Sequence, residues 1–448
     1  MTSLRRLALA GQQELQADDP ELWDILRQEY ERQQETLALV ASSSVASPSV
    51  LACASSPATN VTAEGYPGAR FHAGCRWIDP LESLAIQRAK DAFGAEFANV
   101  QPHSATTANE ILMSCFLKPG DTLLGMDLNA GGHLTHGSKA SVSGQFFHSI
   151  GYGLNEAGRI DMEQVRRLAL EHRPKLLICG TTAYPRELDF AAFRAIADEV
   201  GAYLLADITH IAGLVLAGLH SSPIDHAHFT TTCTHKQLYG PRGGLILLGQ
   251  DAHTEAKDGR GTLARRVQKG VFPFFQGAPM MSAIAAKARA LAFVQTPEFR
   301  ERATRIVELS RALAAALLDE GFDVISGGSD NHIVLANVWN SHSVTGFVAE
   351  KALEQCGLVI NKNRVPGDER SAQVTSGVRL GTNSAALRGL GIEEMKRCAR
   401  WMNRILNKVE MTTPRQFTLE EEFAKVVQAE VREMCLSFPI PGYGFEAS

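Results

Sequence analysis

Between about residues 122 and 248 the apolar residues come in runs of four to six, separated by longer stretches in which they return every three or four positions. Short apolar runs bounded by turn residues predict buried strands, and the three-to-four spacing predicts amphipathic helices between them. Strands are expected at 122–127, 175–179, 203–207, 229–234 and 245–248, with helices over about 105–117, 161–173 and 189–200. That alternation predicts an α/β fold whose mostly parallel sheet is covered on both faces. Upstream, 79–94 reads as a helix: Asp79 can cap it, Pro80 suits its first turn, Leu81, Leu84, Ala85, Ala89, Ala92 and Phe93 share a face, and Gly94 ends it. Residues 42–60 are Ser/Ala/Pro-rich and read as loop.

The ends of the chain follow other patterns. Residues 1–40 are helical and polar, with an incomplete stripe of Leu22, Ile25, Leu26, Tyr30 and Leu37 that packs weakly by itself. An alanine-rich helix at 277–295 leads into a second α/β region with strands at 333–338 and 358–361 and helices near 297–319, 345–356, 391–409 and 418–436, the last with Thr418 and Glu421 as a capping box. The division expected is an arm (1–40), a large domain (41–285) and a smaller C-terminal domain (286–448).

A chain of 448 residues exceeds one comfortable core, which agrees with that division. A net charge of −5 with no block of lysine or arginine argues against nucleic acid as a partner. No secretion-type leader and no apolar run long enough for a membrane span occurs, so a cytoplasmic, membrane-free protein is expected. The eight cysteines lack a CxxC pair and read as reduced thiols, and no metal-ligand set is predicted.

The run FTTTCTHKQLYGPRGG ends a strand on Lys236 and passes into a glycine-rich turn that forbids a helix. Alone, such a lysine is ordinarily a solvated terminus. A second strand, Tyr203-Leu204-Leu205-Ala206-Asp207, ends on a carboxylate followed by Thr209 and His210. A strand-end amine and a strand-end carboxylate in one sheet are what pyridoxal 5'-phosphate requires: the amine forms a Schiff base, and the carboxylate keeps the pyridine nitrogen protonated.

DITHIAGLVLAGL followed by TTTCTHKQLYGPRGG resembles the serine hydroxymethyltransferase family of fold-type I pyridoxal phosphate enzymes, as do AEGYPGARFHAGC (from Ala63), ANVQPHSATTAN (from Ala98), GMDLNAGGHLTHG (from Gly125), INKNRVP (from Ile360) and TSGVRLGT (from Thr375), in family order. The resemblance implies an aminotransferase-like large domain with a seven-stranded type of sheet, a smaller C-terminal domain, tetrahydrofolate as co-substrate, and a homodimer with shared active sites or a tetramer built from it. It implies these site roles. Lys236 holds the cofactor, Asp207 meets the ring nitrogen, His133 stacks on the ring, His210 sits near the ring hydroxyl and Thr182 near the ring plane. Ser104, Ala105 and Thr106 cradle the phosphate at a helix start, where free amides and the dipole favour an anion. Gln276, Gly277 and Ala278 match a turn that reaches the neighbouring subunit's phosphate. Arg379 matches the arginine that forks onto the substrate carboxylate, with Ser42 as second contact. Glu64 is the acid/base residue lent across the interface, His235 assists Lys236, and Leu128, Gly131, Gly132, Leu134 and Asn363 match folate positions.

Several positions depart from the family pattern. Thr62 and His72 stand where serine-using members carry tyrosines, Ser43, Ser44 and Val45 replace a Glu-Asn-aromatic run, and Phe274 and Phe275 precede Gln276. Loss of a ring beside the substrate's α-carbon leaves room for a methyl group, worth about 1–3 kcal/mol in a pocket. The favoured expectation is therefore the α-methylserine/alanine pair, with ordinary serine/glycine transfer as the alternative. A folate-independent aldolase is disfavoured by Glu64, Leu128, Leu134 and Asn363, and a non-catalytic relative by Lys236, Asp207 and Arg379.

Overall fold

A computed structural model describes residues 3–443. Seven strands form the main sheet: β1 (Phe97–Asn99), β2 (Thr122–Met126), β3 (His148–Tyr152), β4 (Leu176–Gly180), β5 (Tyr203–Asp207), β6 (Phe229–Cys233) and β7 (Gly244–Leu248). Their spatial order is β1-β7-β6-β5-β4-β2-β3. Neighbours from β6 through β3 run parallel, while β7 is antiparallel to both β6 and β1. β4 to β7 are buried along their whole length, as apolar strands between two helical layers must be. The two strands absent from the apolar pattern have plain reasons. β3 lies at a sheet edge, half exposed and interrupted by His148, Ser149 and Gly151, and β1 has three residues only.

The C-terminal region has its own four-stranded antiparallel sheet, β8 (Asp323–Val324), β9 (Ile333–Asn337), β10 (Asn361–Asn363) and β11 (Gly377–Gly381), ordered β8-β9-β11-β10. Helices Pro297–Asp319, Gly346–Gln355, Ile392–Leu406 and Glu421–Ser437 pack around it to make one apolar core. Leu37 and Leu39 belong to that core too. Helices Ser3–Asp18 and Pro20–Glu35 lead to a short strand, Leu37–Ala38, which pairs in parallel with Leu358–Val359. The buried Arg388 guanidinium fastens the same junction, donating to the carbonyls of Gln33, Gln34 and Thr36 and to those of Cys435 and Phe438.

Three local expectations are corrected. The helix read as starting on Asp79 is Ile78–Phe93, and Asp79 does not cap it: its carboxylate accepts from Gly68 N (2.9 Å) and Arg70 Nε (2.8 Å). Residues 42–60 contain a helix, Pro48–Ala54, started by the Ser47 cap and a proline in its first turn. Thr418 opens no capping box, because it lies in a hairpin strand opposite Glu410 and the last helix begins at Glu421. Among the described residues all eight cysteines are free thiols and no helix is long and apolar enough to cross a membrane.

Candidate active site

β5 and β6, neighbours in the middle of the sheet, end side by side, with Asp207 paired in register with Thr231. Beyond β6 the chain closes a tight loop around Thr234, whose N–H donates to Gly243 O (3.0 Å) and whose hydroxyl donates to Pro241 O (2.6 Å). Tyr239 takes a left-handed φ of 54° to close it. The loop turns Lys236 inward, where it is 9 % exposed and its Nζ lies 2.8 Å from His210 Nε2. Burial pushes the amine below its ordinary pKa, which favours the neutral, nucleophilic form.

Asp207 is held by more partners than the sequence indicated. Its Oδ2 accepts from Asn109 Nδ2 (2.8 Å) and His136 Nε2 (3.1 Å), and its Oδ1 accepts from Thr209 N (3.0 Å). The His133 backbone N–H donates to His136 Nδ1 (3.2 Å), so the His136 proton sits on Nε2, facing Asp207. Burial alone would raise the Asp207 pKa, but the hydrogen bonds from His136 and Thr209 hold the carboxyl well below the usual range. Asp207 therefore stays ionised.

Asn109 also accepts from Thr231 Oγ1 (2.6 Å) and donates to Thr135 Oγ1 (2.9 Å), which is 2.8 Å from His133 Nδ1. Asp207 and His133 are thus parts of one polar network. Burial, then the neighbouring His136, brings the His133 pKa down to about 4, so its ring is neutral near pH 7.

Ser104 caps helix Ala105–Phe116 by accepting from Thr107 N (3.0 Å), and this helix start, with Ala105 and Thr106, lines the same cavity as Lys236. That cavity is lined by Ser104, Ala105, Thr106, His133, Thr182, Asp207, His210, His235 and Lys236, nine residues expected from the sequence, together with Thr181, Thr209, Cys233 and Arg242. Arg242 Nη1 lies 3.3 Å from His235 Nε2, and burial followed by that charge lowers His235 to about 4.

Arg379, in β11, reaches the site from the C-terminal region. Its Nη1 donates to Thr182 O (2.6 Å) and its Nε to Asn361 Oδ1 (3.1 Å). Burial lowers it to about 10, and among the described residues no carboxylate lies within ion-pair distance of it. Ser42 follows a segment laid against the same strand: Gly381 N donates to Leu39 O (2.7 Å), and Ala41 O accepts from Asn383 Nδ2 (3.1 Å) and lies 3.2 Å from His332 Nε2.

The remaining expected residues form two other groups. Glu64 precedes the hairpin pairing Gly65 with Arg70, and its Oε2 lies 3.2 Å from His72 Nε2. A Cβ on Gly277 would stand 3.5 Å from Glu64 Oε1, so the Gln276-Gly277-Ala278 turn adjoins it. Glu64, Thr62, His72, Gly277 and Ala278 are not among the residues lining the Lys236 cavity of the same chain. Leu128, Gly131, Gly132 and Leu134 lie on the loop that carries His133, with both leucines exposed. The Arg364 guanidinium bonds Asn129 and so draws Asn363 to that loop.

The cavity fits pyridoxal phosphate on its own chemistry. A helix start, an ionised carboxylate and a buried amine all line it, and buried His210 Nδ1 and Thr209 Oγ1 have no protein partner. Residues overlooked in the sequence are Asn109, on helix Ala105–Phe116, and Thr135 and His136, on the turn Leu134–His136; all three are buried polar side chains.

The family model for serine hydroxymethyltransferase matches residues 15–402 of the chain. Among curated proteins, a serine hydroxymethyltransferase of Bartonella henselae and one of Bartonella quintana are each 45% identical to it over 430 residues, covering 96% of this chain and 95% of the relative.

Proposed function

The chain belongs to the serine hydroxymethyltransferase family, and on that premise we propose that it transfers a hydroxymethyl unit between serine and tetrahydrofolate, with glycine as the other amino acid. The observation that carries this reading is the convergence of a buried amine, Lys236, and an ionised carboxylate, Asp207, on one cavity with the start of helix Ala105–Phe116. Relatives bearing the serine hydroxymethyltransferase name at 45% identity support the serine/glycine pair.

Pyridoxal phosphate, when bound, supplies a ring that accepts the electron pair released as a bond at the substrate's α-carbon breaks. The protein's part is positioning and charge. Lys236 would hold the cofactor, Asp207 would keep its ring nitrogen protonated, and Ser104, Ala105 and Thr106 would take the phosphate. His133, a neutral imidazole, would face the ring, and the Arg379 fork would bind the substrate carboxylate. Glu64 moves the proton of the substrate hydroxyl.

A second reading, α-methylserine/alanine, rests on Thr62 and His72 where tyrosines are usual in the family and on the bond His72 makes to Glu64. The test is product analysis from L-serine and from α-methyl-L-serine in parallel, each with and without tetrahydrofolate. Glycine from serine, dependent on folate, is expected. Folate-dependent alanine as the main product would replace the serine pair by the methylated one.

The assembly we propose is a cytoplasmic homodimer, because Glu64 and Gly277 adjoin each other yet lie outside the cavity of their own Lys236. Mixing an inactive Lys236 variant with an inactive Glu64 variant should restore part of the activity through hybrid dimers. Hybrids that form but stay inactive would rule out shared sites.

A further inference from the structure

Two lysines are buried among the described residues, Lys236 and Lys287, and the chemistry above uses only the first. Lys287 lies on helix Met281–Phe293 and is 2 % exposed. Its Nζ donates to three backbone carbonyls, Val100 O (2.6 Å), Pro102 O (3.0 Å) and Gly244 O (3.0 Å), which uses all three ammonium hydrogens. No carboxylate pairs with it among the described residues. The nearby buried acid, Glu82, is committed to Arg70 (2.5 Å) and to Gln101 Nε2 (2.7 Å).

The three carbonyls belong to two segments that must meet. β1 ends at Asn99, so residues 100–103, which lead into the Ser104 cap, have no sheet partner of their own kind. They lie directly on the start of β7, the strand reached from the Lys236 loop: Gly244 N donates to Pro102 O (2.9 Å), and a Cβ on Gly244 would fall 2.3 Å from Ser104 O. A Cβ on Gly243 would fall 2.2 Å from Lys287 Cε, so the paired glycines leave the channel through which the lysine reaches both segments. An ammonium buried with no counter-ion is costly, and burial pushes this one down to about 7. An anion bound at the helix start would supply the missing negative charge.

We propose that Lys287 is a positioning residue for the cofactor phosphate, seating the approach to Ser104 on the strand that leaves Lys236 and backing that helix start with a positive charge completed by the bound dianion. The proposal rests on the reading that Ser104, Ala105 and Thr106 take the phosphate.

The experiment compares pyridoxal phosphate with pyridoxal, which lacks the phosphate, for binding to the cofactor-free protein, followed by fluorescence quenching. Wild type should prefer pyridoxal phosphate strongly. Lys287→Met should weaken pyridoxal phosphate by at least about tenfold, the scale of one lost charge-assisted interaction, and leave pyridoxal affinity within about twofold. Thermal melts with inorganic phosphate as probe should show a phosphate-dependent rise in wild type that is smaller in the variant. A purely structural lysine would weaken both ligands alike, and that result overturns the proposal, as does unchanged affinity for both. Should Lys287→Met fail to fold, Gly243→Ala displaces the same amine from the other side and must give the same split between ligands. A wild type that binds pyridoxal as tightly as pyridoxal phosphate would overturn the phosphate reading itself. A wild type that prefers the phosphate, with a variant that keeps the same preference, overturns only the role of Lys287.

Discussion

Lys236→Ala should lose hydroxymethyl transfer by at least about a thousandfold, because among the described residues no other amine lines the cavity to hold the cofactor and hand it to the substrate. Lys287, the other buried lysine, is tied to three carbonyls and faces away from exchange with substrate. Lys236→Arg should fare no better, since a guanidinium does not give up its proton. Borohydride treatment of the loaded protein followed by peptide mass analysis should place the cofactor mass on the peptide containing Lys236 in wild type and on none in the variant. Activity within about tenfold of wild type would remove Lys236 from the centre of the site.

The second large effect is expected at Asp207. Asp207→Ala strips an ionised partner from His136 and Asn109 at once and leaves two buried donors unsatisfied. Turnover should fall by about a hundred- to a thousandfold, the scale seen when a preorganised electrostatic partner is removed. The pH dependence can be signed in advance. A carboxyl held below its unfolded value is ionised in the folded protein throughout the neutral range, and its contribution to stability is present above the unfolded pKa and lost as the pH falls through the folded one. The acid limb of the wild-type turnover profile therefore should not come from Asp207. An Asp207→Asn variant that keeps more than a tenth of wild-type turnover would contradict its assigned role.

Much of this site was legible because its main residues stand at abrupt ends of apolar runs. Asp207 closes β5 and Lys236 stands in the turn just past β6, and such breaks in a strand pattern survive in one dimension. The central strands were readable for the same reason, whereas β3 is half exposed and broken by His148, Ser149 and Gly151, and β11, though buried, begins and ends on glycine around Arg379. The Asn109 and His136 supports were missed because the carboxylate they bond lies 98 and 71 residues away in sequence, and nothing local distinguishes such a polar residue from one that faces solvent. The separation of Glu64 from the cavity of its own chain was a matter of resemblance, and only the three-dimensional placement of the hairpin gave it physical content.

The strand Leu37–Ala38 has a consequence for synthesis of the chain. Its partner, Leu358–Val359, emerges from the ribosome more than three hundred residues later, after the whole sheet that carries Lys236. Domains fold largely as they are made, so the first forty residues must wait, unpaired, beside a finished neighbour. Their sparse apolar stripe suits that wait, because a richer one would bind the nearest exposed core or another nascent chain. The last-made third of the protein, in turn, completes its core only by taking back the first-made segment, which couples the quality of its folding to an intact beginning.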